Sequence, residues 1–233
     1  KGQMPERGVV EVKAVDDNSL FTSTPTQLSK YFDAYRLVLV TNLRAFQLVG
    51  EDVNGTPTRL EAFALADSAA DFWTLVQKPD ASAKVHGLAF IEYLRRALTQ
   101  NVALVQPKDV AWFLASYARD ALARVDTAGD LPALKTVRNA LEDALGITFD
   151  EEKGDHFFRS TLVQTLFYGL FSAWVIWARA TPRNPPRFDW RSAGWSLHVP
   201  FIQTLFQQLT SPLHIKHLDL VEVLDWTGNT LNR

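Results

Sequence analysis

"GVVEVKA" (residues 8–14), "TPTQLSKYFDAYR" (24–36) and "LVLVTNL" (37–43) follow one another near the start of a 233-residue chain. The first is rich in β-branched valine and predicts a strand. The second carries helix start signals: Thr24 as N-cap, Pro25 at the first helical position and Gln27 completing a capping box. Leu28, Tyr31, Phe32 and Tyr35 then recur at helical spacing and form an apolar face. The third is a near-continuous apolar run, the pattern of a strand buried on both faces. "AFQLVGED" (45–52) reads as its hairpin partner and "RLEAFAL" (59–65) as one more short strand.

From residue 67 onward the spacing predicts helices near 67–77, 86–100, 108–124, 131–145, 155–179, 198–209 and 218–229. Breaks are expected at "KPDAS", "VDTAGDLP" and "TPRNPPRFDWRSAG". The expected fold class is α+β: a small α/β unit over residues 1–66, then a larger all-helical domain over 67–233. The stretch "LVQTLFYGLFSAWVIWA" (162–178) is very apolar, but it is shorter than the roughly 20 residues of a membrane span. Gln164, Thr165 and Ser172 interrupt it, so it is expected to be a buried core helix with neighbours all round.

Composition removes several classes of chemistry. There are 24 Lys and Arg against 26 Asp and Glu, a net charge of −2, so no global positive field holds the chain on DNA or an anionic membrane. There is no cysteine, which excludes thiol catalysis, disulfides and Cys-ligated metals. No P-loop, G-x-G-x-x-G, G-x-S-x-G or H-E-x-x-H is present. No leader segment is visible, and a cytoplasmic location is expected. The chain opens on Lys1 and enters a strand within a few residues, which suggests a piece of a longer polypeptide.

Glu11 and Lys13 share a strand face, being two residues apart, while Val10, Val12 and Ala14 are expected to face another layer. A carboxylate beside an ammonium suits metal-assisted phosphodiester hydrolysis. The carboxylate holds Mg²⁺, a hard cation that prefers oxygen. The ammonium orients the attacking water or offsets developing negative charge. A bare Glu-x-Lys arises by chance about once in a chain this long, and Glu151 and Lys153 match it too. A strand-edge ion pair is the plain alternative. What sets the first copy apart is the order strand, helix, strand. Gln27 and Tyr31 add a pair at i, i+4 on one face of that helix; Gln164 and Tyr168 share the spacing without the context.

With these residues in place the segment resembles the PD-(D/E)xK nuclease fold, in which Glu-x-Lys lies on a central strand and some branches carry Gln-x-x-x-Tyr on the next helix. "LVLVTNLRAFQLV" resembles the strand that follows that helix in fused type IIG-like restriction endonucleases with an N6-adenine DNA methyltransferase. "FRSTLVQTLFYGLFSAW" and "VEVLDWTGNTLNR" resemble their helical connector. The resemblance implies a Mg²⁺-dependent endonuclease acting on double-stranded DNA. Glu11 would be the metal ligand, Lys13 would act on water and charge, and Gln27 and Tyr31 would support the site. It also implies partner methyltransferase and specificity domains in the same polypeptide, with S-adenosylmethionine confined to the methyltransferase. The family's second acidic residue is not supplied by "KGQMPERG"; it is expected upstream of Lys1, so that residues 1–233 alone are expected to cut DNA poorly or not at all, and the methyltransferase is expected after Arg233. The alternative is a catalytically inactive nuclease-like scaffold that docks DNA or positions the methyltransferase.

Arg183, Arg187 and Arg191, with Arg179, recur every four residues through a proline-rich loop interleaved with Trp190 and Trp195. Such a loop suits phosphate contact, although a solvated loop anchored by its tryptophans has the same pattern. His214 and His217 lie three apart with no third ligand nearby in the sequence.

Overall fold

The computed structural model describes residues 8–18, 25–52, 55–128, 132–149, 153–180, 187–197, 203, 206–207 and 210–233. The side chains of 25–29, 132–133, 144–145, 153 and 213–214 lie outside that description. Two compact units divide the chain, 1–103 and 104–233.

The first unit is built on a four-stranded sheet in the order β1-β2-β3-β4. Its elements are β1 (Val9–Val12), α1 (Pro25–Tyr35), β2 (Val38–Thr41), β3 (Ala45–Glu51), β4 (Pro57–Ala64), α2 (Ala69–Val76) and α3 (Pro79–Leu98). β1 and β2 are parallel, with Val9 opposite Val38 and Glu11 opposite Val40. Parallel neighbours need a long crossover, and α1 provides it. The β2–β3 and β3–β4 pairs are antiparallel. Gly8 opens β1 at φ +113, and a Cβ there would lie 2.6 Å from the Leu37 carbonyl oxygen, so only glycine lets β1 start against β2.

The strands sort their side chains by parity. Val38, Val40 and Val49 pack with Phe32 of α1, joined by Val9, Tyr31 and Ala45. Leu37, Leu39, Phe46, Leu48 and Leu60 pack on the other face with Tyr93 and Ala97 of α3. Every residue of β2 is buried, as its unbroken apolar run requires. The helical region was expected to begin at 67, yet the sheet's compact unit extends to Ala103, because Phe90, Tyr93, Leu94 and Ala97 of α3 pack on one sheet face. α3 also begins earlier than its apolar periodicity indicates: Pro79 of "KPDAS" is its first residue rather than part of a break.

β1 departs from expectation. It is the edge strand among the described residues, not a central one. Val10 and Val12 are 53% and 60% exposed rather than packed under a second layer. They lie on the face that α3 covers, but α3 packs over the far end of the sheet, against β4.

A buried ion pair joins α3 to that sheet face: Arg96 Nε donates to Glu61 Oε2 at 2.9 Å, with both side chains almost wholly buried. The neighbouring Tyr93 is buried and its hydroxyl has no hydrogen-bond partner.

The second unit contains α4 (Pro107–Thr127), α5 (Pro132–Leu145), α6 (Lys153–Ala180), a 3-10 turn at Trp190–Ser192, α7 (Ala193–Ser196), α8 (Pro212–His217) and α9 (Val221–Leu231). Most of the helix expected at 198–209 lies outside the described residues. Leu162, Val163, Leu166, Phe167, Leu170 and Ala173 place α6 in the core. The helix is long and apolar enough by composition to cross a membrane, over Gly154–Ala180, and 39% of its apolar window is buried within the protein. It is not enclosed all round: Gln164, Tyr168 and Ser172 form an exposed side. Tyr117 and Thr230 share a buried hydroxyl–hydroxyl bond of 2.9 Å that fixes α4 to α9.

Two outcomes follow for stability. Burial, then the charge of Glu61, raises the Tyr93 pKa above the ordinary tyrosine value, while Arg96 pulls it down. The folded state therefore keeps the proton after the unfolded state begins to release it near pH ~10. Stability is fully present below that pH and falls as pH rises beyond it; urea unfolding of Tyr93→Phe should lack this alkaline loss and differ from the parent by only about 1 kcal/mol at pH 7. Arg96→Ala, which takes a charged donor from the buried Glu61 carboxylate, should cost about 3–5 kcal/mol in the same measurement.

Candidate functional site

The site is built on β1. Val9 N donates to Leu37 O at 3.1 Å and Lys13 N to Thr41 O at 2.8 Å, so the ladder continues one residue past the strand. Val9 packs with Phe32 and Val38, which fixes the α1 side of the sheet as the face of Val9, Glu11 and Lys13. Glu11 and Lys13 are both half-buried there. Tyr31 of α1 is half-buried on the same side and packs against that core. The helix that carries Gln27 thus covers the face that carries Glu11; the Gln27 side chain itself lies outside the described residues.

The segment after β1 is held by the β2–β3 turn. Thr41 Oγ1 donates to Ala45 O at 2.8 Å and accepts from Leu43 N at 2.9 Å. Asn42 accepts from Ala45 N at 2.9 Å and donates to Asp17 O at 2.8 Å. These bonds hold Leu43 at φ 71, an unusual conformation for leucine. The "TN" string is thus a turn device that also anchors the exit of β1.

One residue of this face was not found from the sequence. Gln47 of β3 lies opposite Val40, and Val40 lies opposite Glu11, so the three form one row across the α1 side. Gln47 Oε1 is buried without a hydrogen-bond partner. The available signal was a single amide inside the apolar strand "AFQLV".

Mg²⁺ demands near-octahedral oxygen coordination. Glu11 offers one carboxylate, and among the described residues no group of three or more His, Asp or Glu gathers to hold a metal ion. The described residues do not complete a magnesium site.

The expected DNA-contacting arginines separate. Arg183 lies outside the described residues, and Arg187 is exposed. Arg191 is committed within the fold: it donates to Asp225 at 2.8 and 3.3 Å and lies 4.4 Å over the Trp190 ring. Its pKa is raised, chiefly by the hydrogen bond to Asp225. Trp190 is buried and donates from Nε1 to the same carboxylate at 2.7 Å. Trp195 is 80% exposed. His217 is exposed, and the His214 side chain lies outside the described residues.

A groove of about 820 Å³ runs along α4 and α6, lined chiefly by apolar side chains such as Val110, Leu114, Phe167, Phe171 and Trp174. None of the residues singled out above for catalysis or DNA contact lines it. No family model matches the chain, and no curated protein or solved structure matches it.

Asp225→Ala removes the acceptor shared by Trp190 and Arg191. It should cost about 2–3 kcal/mol in chemical unfolding and red-shift tryptophan emission, whereas Arg187→Ala should leave both unchanged.

Proposed function

We propose that the first unit is a nuclease-like module for DNA phosphodiester hydrolysis, with its site on the α1 side of β1. It belongs, in this reading, to a cytoplasmic restriction–modification protein of PD-(D/E)xK type whose partners are an adenine methyltransferase and a specificity domain. The observation that carries the reading is one arrangement: a carboxylate and an ammonium share the helix-covered face of a strand joined by a helical crossover to its parallel neighbour. Glu11 would align the attacking water and accept its proton. Lys13 would offset charge on the phosphate as the bond to the leaving oxygen breaks. Tyr31 and Gln27 would close the site from α1.

The edge position of β1 and the single carboxylate support a second reading, a nuclease-like scaffold that docks DNA without cutting it.

Cutting of supercoiled plasmid in Mg²⁺ by the longer polypeptide that this reading implies separates the two. Under the first reading Glu11→Ala and Lys13→Ala each slow cutting at least ~100-fold with far-UV circular dichroism unchanged. DNA binding without cutting, equal in parent and variants, supports the scaffold. Absence of both binding and cutting overturns both readings. Arg187→Ala should lower the salt slope of DNA binding by about 1, while Arg191→Ala should act mainly on stability.

A further inference from the structure

We infer that Gln47 is a positioning residue for Lys13. The argument begins with the orphaned amide. Gln47 Oε1 is buried and accepts no hydrogen bond. Buried polar atoms are nearly always satisfied, so this exception calls for a donor on the same face. Strand register says which groups stand near. Gln47 and Glu11 flank Val40 in one row, at two strand spacings, about 9.6 Å. Val40 is fully buried and forms an apolar floor between them.

The Gln47 carbonyl oxygen and the Glu11 carboxylate are both acceptors and cannot bond to each other. Whatever joins them must donate. β1 directs one cation to this face, Lys13, two residues beyond Glu11 or about 6.6 Å along the strand. An ammonium has three donors, enough for Glu11, for Gln47 and for one oxygen of a substrate. Held at both ends, Lys13 keeps one N–H aimed outward instead of sampling its many rotamers. What that N–H then does rests on the phosphodiesterase reading; the contact itself does not.

A double-mutant cycle on unfolding of the full chain tests the contact, with Lys13→Met, Gln47→Met and the pair. The expected result is coupling: the unfolding constant of the double variant departs at least about threefold from the product of the single effects. Tyr31→Phe, which removes a hydroxyl donor of α1 on this face, should show no coupling with Gln47→Met. Gln47→Glu, which keeps an acceptor, should retain the coupling to Lys13. In plasmid cutting, Gln47→Met should lower kcat about tenfold with KM unchanged. Independence of Lys13 and Gln47 in the cycle overturns the assignment, as does coupling to Tyr31 instead. If the longer polypeptide does not cut DNA, the hydrolytic reading fails and the cycle still decides the contact.

Discussion

Arg44 holds three separate pieces of chain at one end of the sheet. It is 7% exposed. Its Nε donates to Val15 O at 2.9 Å and one terminal nitrogen to Asp67 O at 2.7 Å, while the other terminal nitrogen reaches the Asn18 side chain. Its own carbonyl accepts from Leu65 N at 2.7 Å. Because β1 runs parallel to β2, the chain leaves β1 beside the β2–β3 turn, and β4 ends there too. One guanidinium, a rigid fork of donors, ties all three. A register slip of one residue in β1 would move Glu11 and Lys13 to the α3 side. The Arg44 and Asn42 bonds to residues 15–18 oppose that slip, so the facing of the polar pair depends on them.

From that constraint the rest of the first unit is ordered. Parallel pairing demands a crossover, the crossover helix covers Val38 and Val40, and the pair on β1 is left half-buried at the rim of that cover. A half-buried position suits groups that must meet solvent and substrate while still feeling a low dielectric. The second unit shows a different use of charge. Arg124 bonds Asp219 and lies over Trp226, and Arg159 bonds Asp155 and the carbonyls of Val125 and Ala128. There the arginines close loops onto helices.

Local pattern carried much of this architecture. The helix start at Pro25, the apolar run of β2 and the hairpin pairing of β3 were legible because each reports on its own backbone. What was not legible depends on partners distant in sequence. The face of Val10 and Val12 was misread because alternation does not say whether a layer covers it. The pairing of Arg191 with Asp225 was not visible because the two lie 34 residues apart. Gln47 was passed over because its meaning comes from Val40 and Glu11 on two other strands. The strings that carried the family resemblance, "TN" with Arg44 and the Asp225–Asn232 segment, make hydrogen bonds that hold loops, Asn232 bonding Phe188 N and O at 2.8 and 2.9 Å. They speak for architecture first and for chemistry only through it.

The central claim is that ligand engages the α1 side of β1. Methyl NMR of the full chain, with valine and leucine labelled and a short DNA duplex titrated in, tests this most directly. The account predicts that the methyl signals of Val9 and Val40 move first and saturate together, while those of Leu114, Leu122 and Val163 along α4 and α6 hold still. Shifts confined to the α4–α6 groove, with Val9 and Val40 unmoved at saturating DNA, would contradict it.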